Sequence, residues 1–298
     1  KEKKKMDFKT LYKNSGKQSN VQNLIETLNN SDSKAKYNDD RYWPYPIDEK
    51  TKNGTALIRF LPSKVDNSVP WVVLYSHGFQ GPGGWYVENS LTTIGQQDPV
   101  TEMNNELWNS GVEANKDLVR KRKRKQYYIA NIYVISDPKN PQNEGKVFLF
   151  KFGKKIFSKI KEKLTPEFEG EKPQDIFDFL SGCNFRLKIK SVEGYPNYDS
   201  SSFESPSALL DGTEKKLLEV FNQMYDLQAE ISPEKFKSYE ELEKKLNRVL
   251  GNSSRTPTSP VSSVTPSQST KPHVAESASA DDESDDAMKY FQQIADEE

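Results

Sequence analysis

The sequence contains very little cysteine and histidine, and this scarcity limits the chemistry open to the chain. Its 298 residues include one cysteine, Cys183, and two histidines, His77 and His273. A single cysteine cannot form an intramolecular disulfide. A zinc site needs about four nitrogen or sulfur ligands at defined spacing, which three widely separated residues cannot supply.

Long apolar runs are also missing. No stretch approaches the roughly 18 apolar residues of a membrane-spanning helix, and only 34% of the residues are hydrophobic. The basic N-terminal residues are not followed by an apolar segment, which argues against a secretory signal. We therefore expect no membrane partner and a cytosolic setting.

The common enzyme motifs are absent as well. There is no Walker phosphate loop and no dinucleotide-binding fingerprint. Residues 76–84 have a weak similarity to the glycine-rich oxyanion loop of α/β-hydrolases, but the Gly-x-Ser-x-Gly elbow is missing. Because His273 lies in a Ser/Thr/Pro-rich stretch, a later catalytic histidine is missing too. We expect a non-enzymatic protein, with a hydrolase as a weak rival.

Charge is abundant and unevenly distributed. The chain has 43 Lys+Arg and 44 Asp+Glu, but residues 276–298 hold nine acids and one base. The remaining residues therefore carry 42 bases and 35 acids, a net charge of +7. A basic body with a tethered acidic tail indicates a polyanion-binding protein that carries its own competitor.

Composition divides the chain into four parts. We predict a basic N-terminal arm over residues 1–20, a binding core over 21–251 with an inserted subdomain at about 77–125, a Ser/Thr/Pro-rich linker over 252–275 and an acidic tail over 276–298. In the tail, Met288, Phe291 and Ile294 form a small apolar stripe at helical spacing that could dock on a partner.

Within the core, β-branched and aromatic runs bounded by turn residues predict strands over 55–61, 71–76, 84–88, 127–136, 146–152 and 184–192. Helical periodicity predicts a short helix around residues 21–28 and helices over 153–164, 213–231 and from Ser232 to about Leu250. Residues 90–117 lack a clean period and are predicted to be loop-rich. The fold class expected is α+β, with an OB-fold-like Greek-key β-barrel closed by C-terminal helices.

The densest functional signal is the basic segment, residues 120–125, which precedes two tyrosines. Six consecutive cations repel one another in a core, but beside phosphates they release counterions. A solvated loop or a localisation signal is the alternative for such a hexamer. Aromatic rings next to it favour nucleic acid, because bases stack on rings regardless of base identity. The residues concerned are Arg120, Lys121, Arg122, Lys123, Arg124, Lys125, Tyr127 and Tyr128.

Further rings and cations recur together along the core. On a strand Phe150 and Phe152 share one face while Lys151 takes the other, and either ring is as suited to the core as to base stacking. Arg59 and Lys64 could contact phosphate or cover the barrel rim. The remaining candidates are Trp85, Tyr86, Lys154, Tyr195 and Tyr198.

Short motifs in a fixed order make the chain resemble the single-stranded DNA-binding, helix-destabilising proteins of T4-like phages. The resemblance covers roughly residues 53–251. It is carried by residues 54–63, His77-Gly-Phe79, Gly84-Trp-Tyr86, Ala130-Asn-Ile132, 137–148, 152–155, Asn184-Phe185, Asn197-Tyr-Asp199, 235–238 and 240–242.

The resemblance implies a DNA cleft lined by aromatic and basic side chains. The matching positions are Trp85, Tyr86, Tyr128, Phe150, Phe152, Tyr195 and Tyr198, with Arg59, Lys151 and residues 121–125 of the basic segment. It also implies an arm that joins neighbouring subunits cooperatively, here Lys3, Lys4, Lys5, Lys9 and Lys13. The tail residues expected to bind replication or recombination proteins are Asp281, Asp282, Glu283, Asp285, Asp286, Phe291 and Ile294.

One departure from the family concerns a structural zinc, held by one histidine and three cysteines in its best-known members. His77 is retained, but residues 88–108 contain no cysteine. We therefore predict no zinc and no other cofactor, with a site formed by His77, Asp98 and Glu102 as a minor alternative. The resemblance implies sequence-nonspecific, cooperative binding of single-stranded DNA in phage replication, recombination and repair, in the cytoplasm of the infected bacterium. A single-stranded RNA-binding translational regulator remains the alternative.

Overall fold

The computed structural model of the protein describes residues 39–66, 68–168 and 170–251. The chain divides into two units after Tyr42. In the described part of the first unit, the Arg41 guanidinium binds the Asp39 carboxylate. The predicted arm, the helix around residues 21–28, the linker and the tail lie outside the described residues.

The second unit contains an antiparallel β-sheet with helices, which confirms the α+β expectation. Its strands are β1 (Gly54–Phe60), β2 (Val72–Gly81), β3 (Gly84–Asn89), β4 (Lys125–Ser136), β5 (Val147–Gly153), β6 (Cys183–Val192), β7 (Tyr195–Asn197) and β8 (Ser202–Pro206). Its α-helices are α1 (Pro99–Asn109), α2 (Glu113–Lys121), α3 (Lys154–Leu164), α4 (Glu214–Gln223) and α5 (Tyr239–Val249). Short 3-10 turns occupy Leu91–Ile94, Pro141–Asn143, Leu209–Gly212, Gln228–Ile231 and Pro233–Lys235.

The sheet is organised around its longest strand, β4. The main order is β3-β2-β4-β1-β6-β7, with β5 paired to β4 and β8 paired to β6. The first half of β4 pairs with β2 and the second half with β1, while β5 pairs along its middle. Residues 127–129 of β4 are therefore flanked by β2 and β5.

One face of this sheet forms the main core. Alternate residues of a strand point the same way, and on β4 the buried series is Tyr128, Ala130, Ile132 and Val134. Phe60 from β1 packs edge-on against Phe152 from β5, with ring centroids 5.5 Å apart. Helix α3 covers this core with Ile156 and Ile160.

A second core lies against the β2–β3 hairpin. Phe79 and Tyr86 of the β2–β3 hairpin pack with Val100 of α1 and with Leu246 and Val249 of α5. The hairpin turn fits closely against the end of α5, because the Gly83 N–H donates to Val249 O at 2.8 Å. A Cβ on Gly83 would lie 2.0 Å from Arg248 O, so this position requires glycine.

The prediction of a loop-rich segment over residues 90–117 was wrong. Helix α1 begins at Pro99 after the N-cap Asp98, whose side chain accepts a hydrogen bond from Thr101 N. Helix α2 follows after a short turn. An N-cap aspartate followed by proline is a sequence signal for a helix start, and it was available at this position.

Two predicted C-terminal helices are shorter than expected. The helix predicted over 213–231 ends at Gln223, because the buried Asn131 amide donates to Tyr225 O and accepts from Tyr225 N. The last helix begins at Tyr239 rather than after Ser232. Ser238 is its N-cap and forms a capping box with Glu241.

Candidate nucleic-acid interface

The basic segment connects two fixed elements. It begins in the last turn of α2 and ends at the first residue of β4. The Arg122 carbonyl accepts hydrogen bonds from His77 Nδ1 at 3.3 Å and Asn104 Nδ2 at 3.2 Å. The six cations are therefore part of an ordered connection between α2 and the sheet.

Arg120 is used within α2. Its Nη1 lies 3.0 Å from Glu113 Oε1 and 2.5 Å from Asp117 Oδ1, and its guanidinium lies 5.8 Å from the Trp108 ring centroid. These ion pairs raise the pKa of Arg120, chiefly through its hydrogen bond to Glu113. Two carboxylates thus already offset much of the positive charge of Arg120, which the sequence had led us to expect beside phosphate.

The other two arginines face aromatic rings of β2. The Arg122 guanidinium lies 5.3 Å from the Phe79 ring centroid, and burial lowers its pKa. The Arg124 guanidinium lies 3.8 Å from the Tyr75 centroid and donates to Thr92 Oγ1 at 2.7 Å. Cation–π contacts of this kind fix the planar guanidinium in place.

The three lysines of the basic segment differ in their exposure to solvent. Lys121 and Lys123 are exposed, and Lys125 is half-buried at the start of β4. The arginines therefore attach the segment to the protein, and the side chains of Lys121 and Lys123 are exposed. A flexible ammonium on the surface is suited to tracking a phosphate chain as a point charge.

Tyr127 and Lys151 form an aromatic–cation pair across β4 and β5. In the strand register Tyr127 lies opposite Gly153 and Ile129 opposite Lys151, so the two side chains are diagonal neighbours. Lys151 Nζ lies 4.4 Å from the Tyr127 ring centroid. Burial lowers the pKa of Lys151 to about 8. A half-buried ring beside an ammonium can offer both stacking and charge to a nucleotide.

Five of the expected stacking rings lie in the cores instead. Tyr128, Phe150, Phe152 and Tyr198 belong to the main core, and Tyr86 belongs to the second core. Tyr128 stacks on Phe157 with centroids 3.7 Å apart, and Tyr86 stacks on Phe79 at 5.1 Å. Because these rings are buried, their assignment as base-stacking residues is corrected to a packing role.

Arg59 is also inside the protein, with a relative exposure of 1%. Its guanidinium donates to Asn184 Oδ1 at 2.9 Å, Ser207 O at 2.8 Å and Asp178 O at 3.3 Å. Burial lowers its pKa. The structure therefore gives Arg59 an internal role in place of the expected phosphate contact, since it joins β1 to the turn before β6, to β6 itself and to the residue after β8.

The remaining candidates are dispersed. Lys64 donates to Met224 O at 2.6 Å and lies 5.4 Å from the Phe221 centroid, which places it at the end of α4. Lys154 is exposed and directly follows Gly153, the register partner of Tyr127. Trp85 lies on β3 and Tyr195 on β7, both half-buried. The structure thus groups Tyr127, Lys151 and Lys154 where β4 meets β5, with Lys125 two residues before Tyr127 on β4.

Sequence reasoning missed Tyr75 and Tyr45. Tyr75 holds Arg124 from β2, opposite Gln126 of β4. Tyr45 donates its hydroxyl to Lys151 O at 2.8 Å, which fixes the backbone beneath the Tyr127–Lys151 pair. The sequence contained a signal for each of them. Tyr75 occupies an alternating strand position, and Tyr45 lies in the aromatic run over residues 42–45.

Within residues 39–251, apart from Asn67 and Glu169, no group of three or more His, Cys, Asp and Glu side chains could hold a metal ion. The His77, Asp98 and Glu102 alternative therefore finds no support there. In the same described part, no helix is both long and apolar enough to cross a membrane. The lysines expected in the arm and the acidic and apolar residues expected in the tail lie outside it.

Comparison with known proteins gives a consistent result. The family model described as gp32 DNA binding protein like matches residues 52–250. The chain is 44% identical over 217 residues to the single-stranded DNA-binding proteins of Enterobacteria phages T2 and T4, which is 70% of this chain and 70% of each relative. It is 43% identical over 72 residues to the single-stranded DNA-binding protein of Escherichia phage SV14, covering 23% of this chain and 63% of that protein.

Proposed function

Because the chain belongs to the gp32 DNA-binding-protein-like family, we propose that it binds single-stranded DNA without sequence preference. The observation that carries the proposal is the family match, which spans residues 52–250 and so nearly all of the described core. The relatives from phages T2 and T4 are named for the same activity. The protein is a binding protein rather than an enzyme, as its sequence led us to expect.

The binding surface we propose is the junction of β4 and β5 with the adjoining basic segment. Lys121, Lys123, Lys125 and Lys154 supply positive charge there, and Tyr127 with Lys151 supplies a ring beside an ammonium. Phosphate contacts are independent of sequence and so is stacking, because every base has a π-face. Trp85 and Tyr195 are candidates for stacking at more distant points of the strand.

We also propose that the sheet is an OB-type Greek-key barrel. Strand β4 pairs with β2, β1 and β5, and β6 pairs with β1, β7 and β8. Strands that change partners along their length are typical of sheets that curve around a core, as small barrels do. Such barrels bind oligonucleotides on one face of their strands.

The wider role we propose is the one that sequence led us to expect. The arm lysines join neighbouring copies on the strand, and the acidic tail recruits replication and recombination proteins. This role belongs to phage DNA replication, recombination and repair, in the cytoplasm of the infected bacterium. The phage origin of the relatives supports this setting.

The direct test compares oligo-dT, the matching RNA and duplex DNA by fluorescence anisotropy. Single-stranded DNA should bind far more tightly than duplex. With four lysine–phosphate contacts, affinity should fall on the order of 50-fold between about 50 and about 200 mM salt. Equal affinity for duplex would refute the proposal, and a clear preference for RNA would favour the translational-regulator alternative.

A second test concerns the tail as a competitor for the basic surface. A chain that stops after Gly251 should bind oligo-dT about tenfold more tightly at low salt, because a tethered polyanion is removed. The gain should shrink as salt rises and screens the charges. A full-length variant with Asp281, Asp282, Glu283, Asp285 and Asp286 changed to their amides separates charge from length. Unchanged binding in both variants would contradict autoinhibition by the tail.

A further inference from the structure

Hydrogen bonds from two buried side chains hold the backbone in the middle of the basic segment. The Arg122 carbonyl accepts from both His77 Nδ1 and Asn104 Nδ2. Both donors are buried, with His77 on β2 and Asn104 on α1. Two hydrogen bonds from two different elements therefore meet at one carbonyl, between the exposed Lys121 and Lys123.

Asp98 fixes His77 in turn. His77 Nε2 lies 3.2 Å from Asp98 Oδ1, and both side chains are 1% exposed. Asp98 also accepts from Thr101 N at 3.0 Å and from Leu91 N at 3.2 Å. Although burial acts to raise its pKa, the hydrogen bond and charge of His77 and further hydrogen bonds lower the pKa of Asp98 to about 2. The carboxylate is thus kept charged and oriented.

The residues here do not fit the zinc ion that the family resemblance implies. His77 directs one ring nitrogen at a carboxylate and the other at a carbonyl, so both are engaged with acceptors. Both Asp98 oxygens already accept backbone N–H groups. Cys183 packs in the main core rather than in the subdomain. A zinc ion needs about four ligands, and the ring nitrogens of His77 and the carboxylate oxygens of Asp98 already have other hydrogen-bond partners.

We propose that His77, Asp98 and Asn104 form a metal-independent tether that positions the basic segment for single-stranded DNA. The proposal rests on the proposed function. Pinning the Arg122 carbonyl limits the positions that Lys121 and Lys123 can take before DNA arrives. Affinity rises when ordering of this kind precedes binding. His77, Asp98 and Asn104 are positioning residues and do not touch the strand themselves.

The first test changes Asn104 to Leu in the full chain. Asn104 Oδ1 is buried with no hydrogen-bond partner, so removal of the amide takes away the donor to Arg122 and also an unsatisfied acceptor. We expect an unchanged Tm, about fivefold weaker oligo-dT binding, and a salt slope smaller by about 0.7 for each lysine–phosphate pair that no longer forms. Asn105→Leu is the matched control, because Asn105 is the next residue of α1 and is exposed.

Hydrogen exchange of the free protein separates the tether from DNA binding. Faster exchange at the amides of residues 122–124 in Asn104→Leu, and not in Asn105→Leu, supports the tether even if wild type fails to bind oligo-dT. Exchange and salt slope equal to wild type would overturn it. Treatment of wild type with EDTA should leave both Tm and oligo-dT affinity unchanged. A fall in Tm that zinc restores would overturn the metal-independent part.

Discussion

An Arg59→Met variant should lose about 3 kcal/mol of unfolding free energy, measured by urea denaturation. The guanidinium of Arg59, on β1, donates to the Asp178 carbonyl, to Asn184 of β6 and to the Ser207 carbonyl after β8. Methionine fills similar volume but leaves buried acceptors without donors. Because buried acceptors without partners are costly, the loss appears as instability.

The control for this variant is Arg186→Met. Arg186 on β6 pairs with Glu204, and its side chain is 43% exposed. An exposed ion pair contributes about 0–1 kcal/mol, so the control should remain close to wild type in stability. If Arg59→Met kept full stability and lost affinity for oligo-dT, Arg59 would be a DNA contact after all and the buried network would be wrong.

The sheet was largely predictable from the sequence. Six strand predictions correspond to β1 to β6, because β-branched and aromatic runs bounded by turn residues favour strands. The short β7 and β8 were missed. Helices α1 and α2 were missed because neither buries a long apolar stripe: α1 buries Pro99, Val100 and Asn104, and α2 has no buried residue. The N-cap pair Asp98-Pro99 marked the start of α1, and local capping chemistry was the more reliable signal there.

Which face of a strand carries function was less predictable. On β5, Leu149 is as buried as Phe150, so apolar residues lie on both faces and alternation alone cannot choose between them. Tertiary packing places Phe150 and Phe152 in the main core. The sequence leaves a core role and a stacking role equally open for these two rings, and only the structure distinguishes them.

The basic segment was also only partly predictable from the sequence. Its charge was evident from sequence, but the different orientations of its arginines and lysines depend on rings and carboxylates elsewhere in the fold. Arg124 contacts Tyr75 on β2, and Arg120 contacts Asp117 and Glu113, which lie one and two turns earlier in α2. Only the second of these contacts is local in sequence. Long-range partners of this kind cannot be read from charge patterns.

The largest effect on binding is expected from Tyr127→Ala, which should weaken oligo-dT binding about 10- to 100-fold. The magnitude follows from base–ring stacking, which contributes roughly 1–3 kcal/mol per base. Tyr127 is half-buried and lies beside Lys151, so it can hold a base next to a positive charge. Anisotropy titrations at fixed salt measure the change, with Tm recorded for each variant.

Two controls make this prediction specific. Tyr127→Phe keeps the ring and should bind within about twofold of wild type, because stacking needs the π-face and not the hydroxyl. Phe168→Ala removes a ring that is 73% exposed on the segment after α3, and it should leave binding unchanged. If Tyr127→Ala and Phe168→Ala behaved alike, the β4–β5 junction would not be the stacking site. Exposure alone would then be a poor guide, and the half-buried Trp85 and Tyr195 would be the rings to test next.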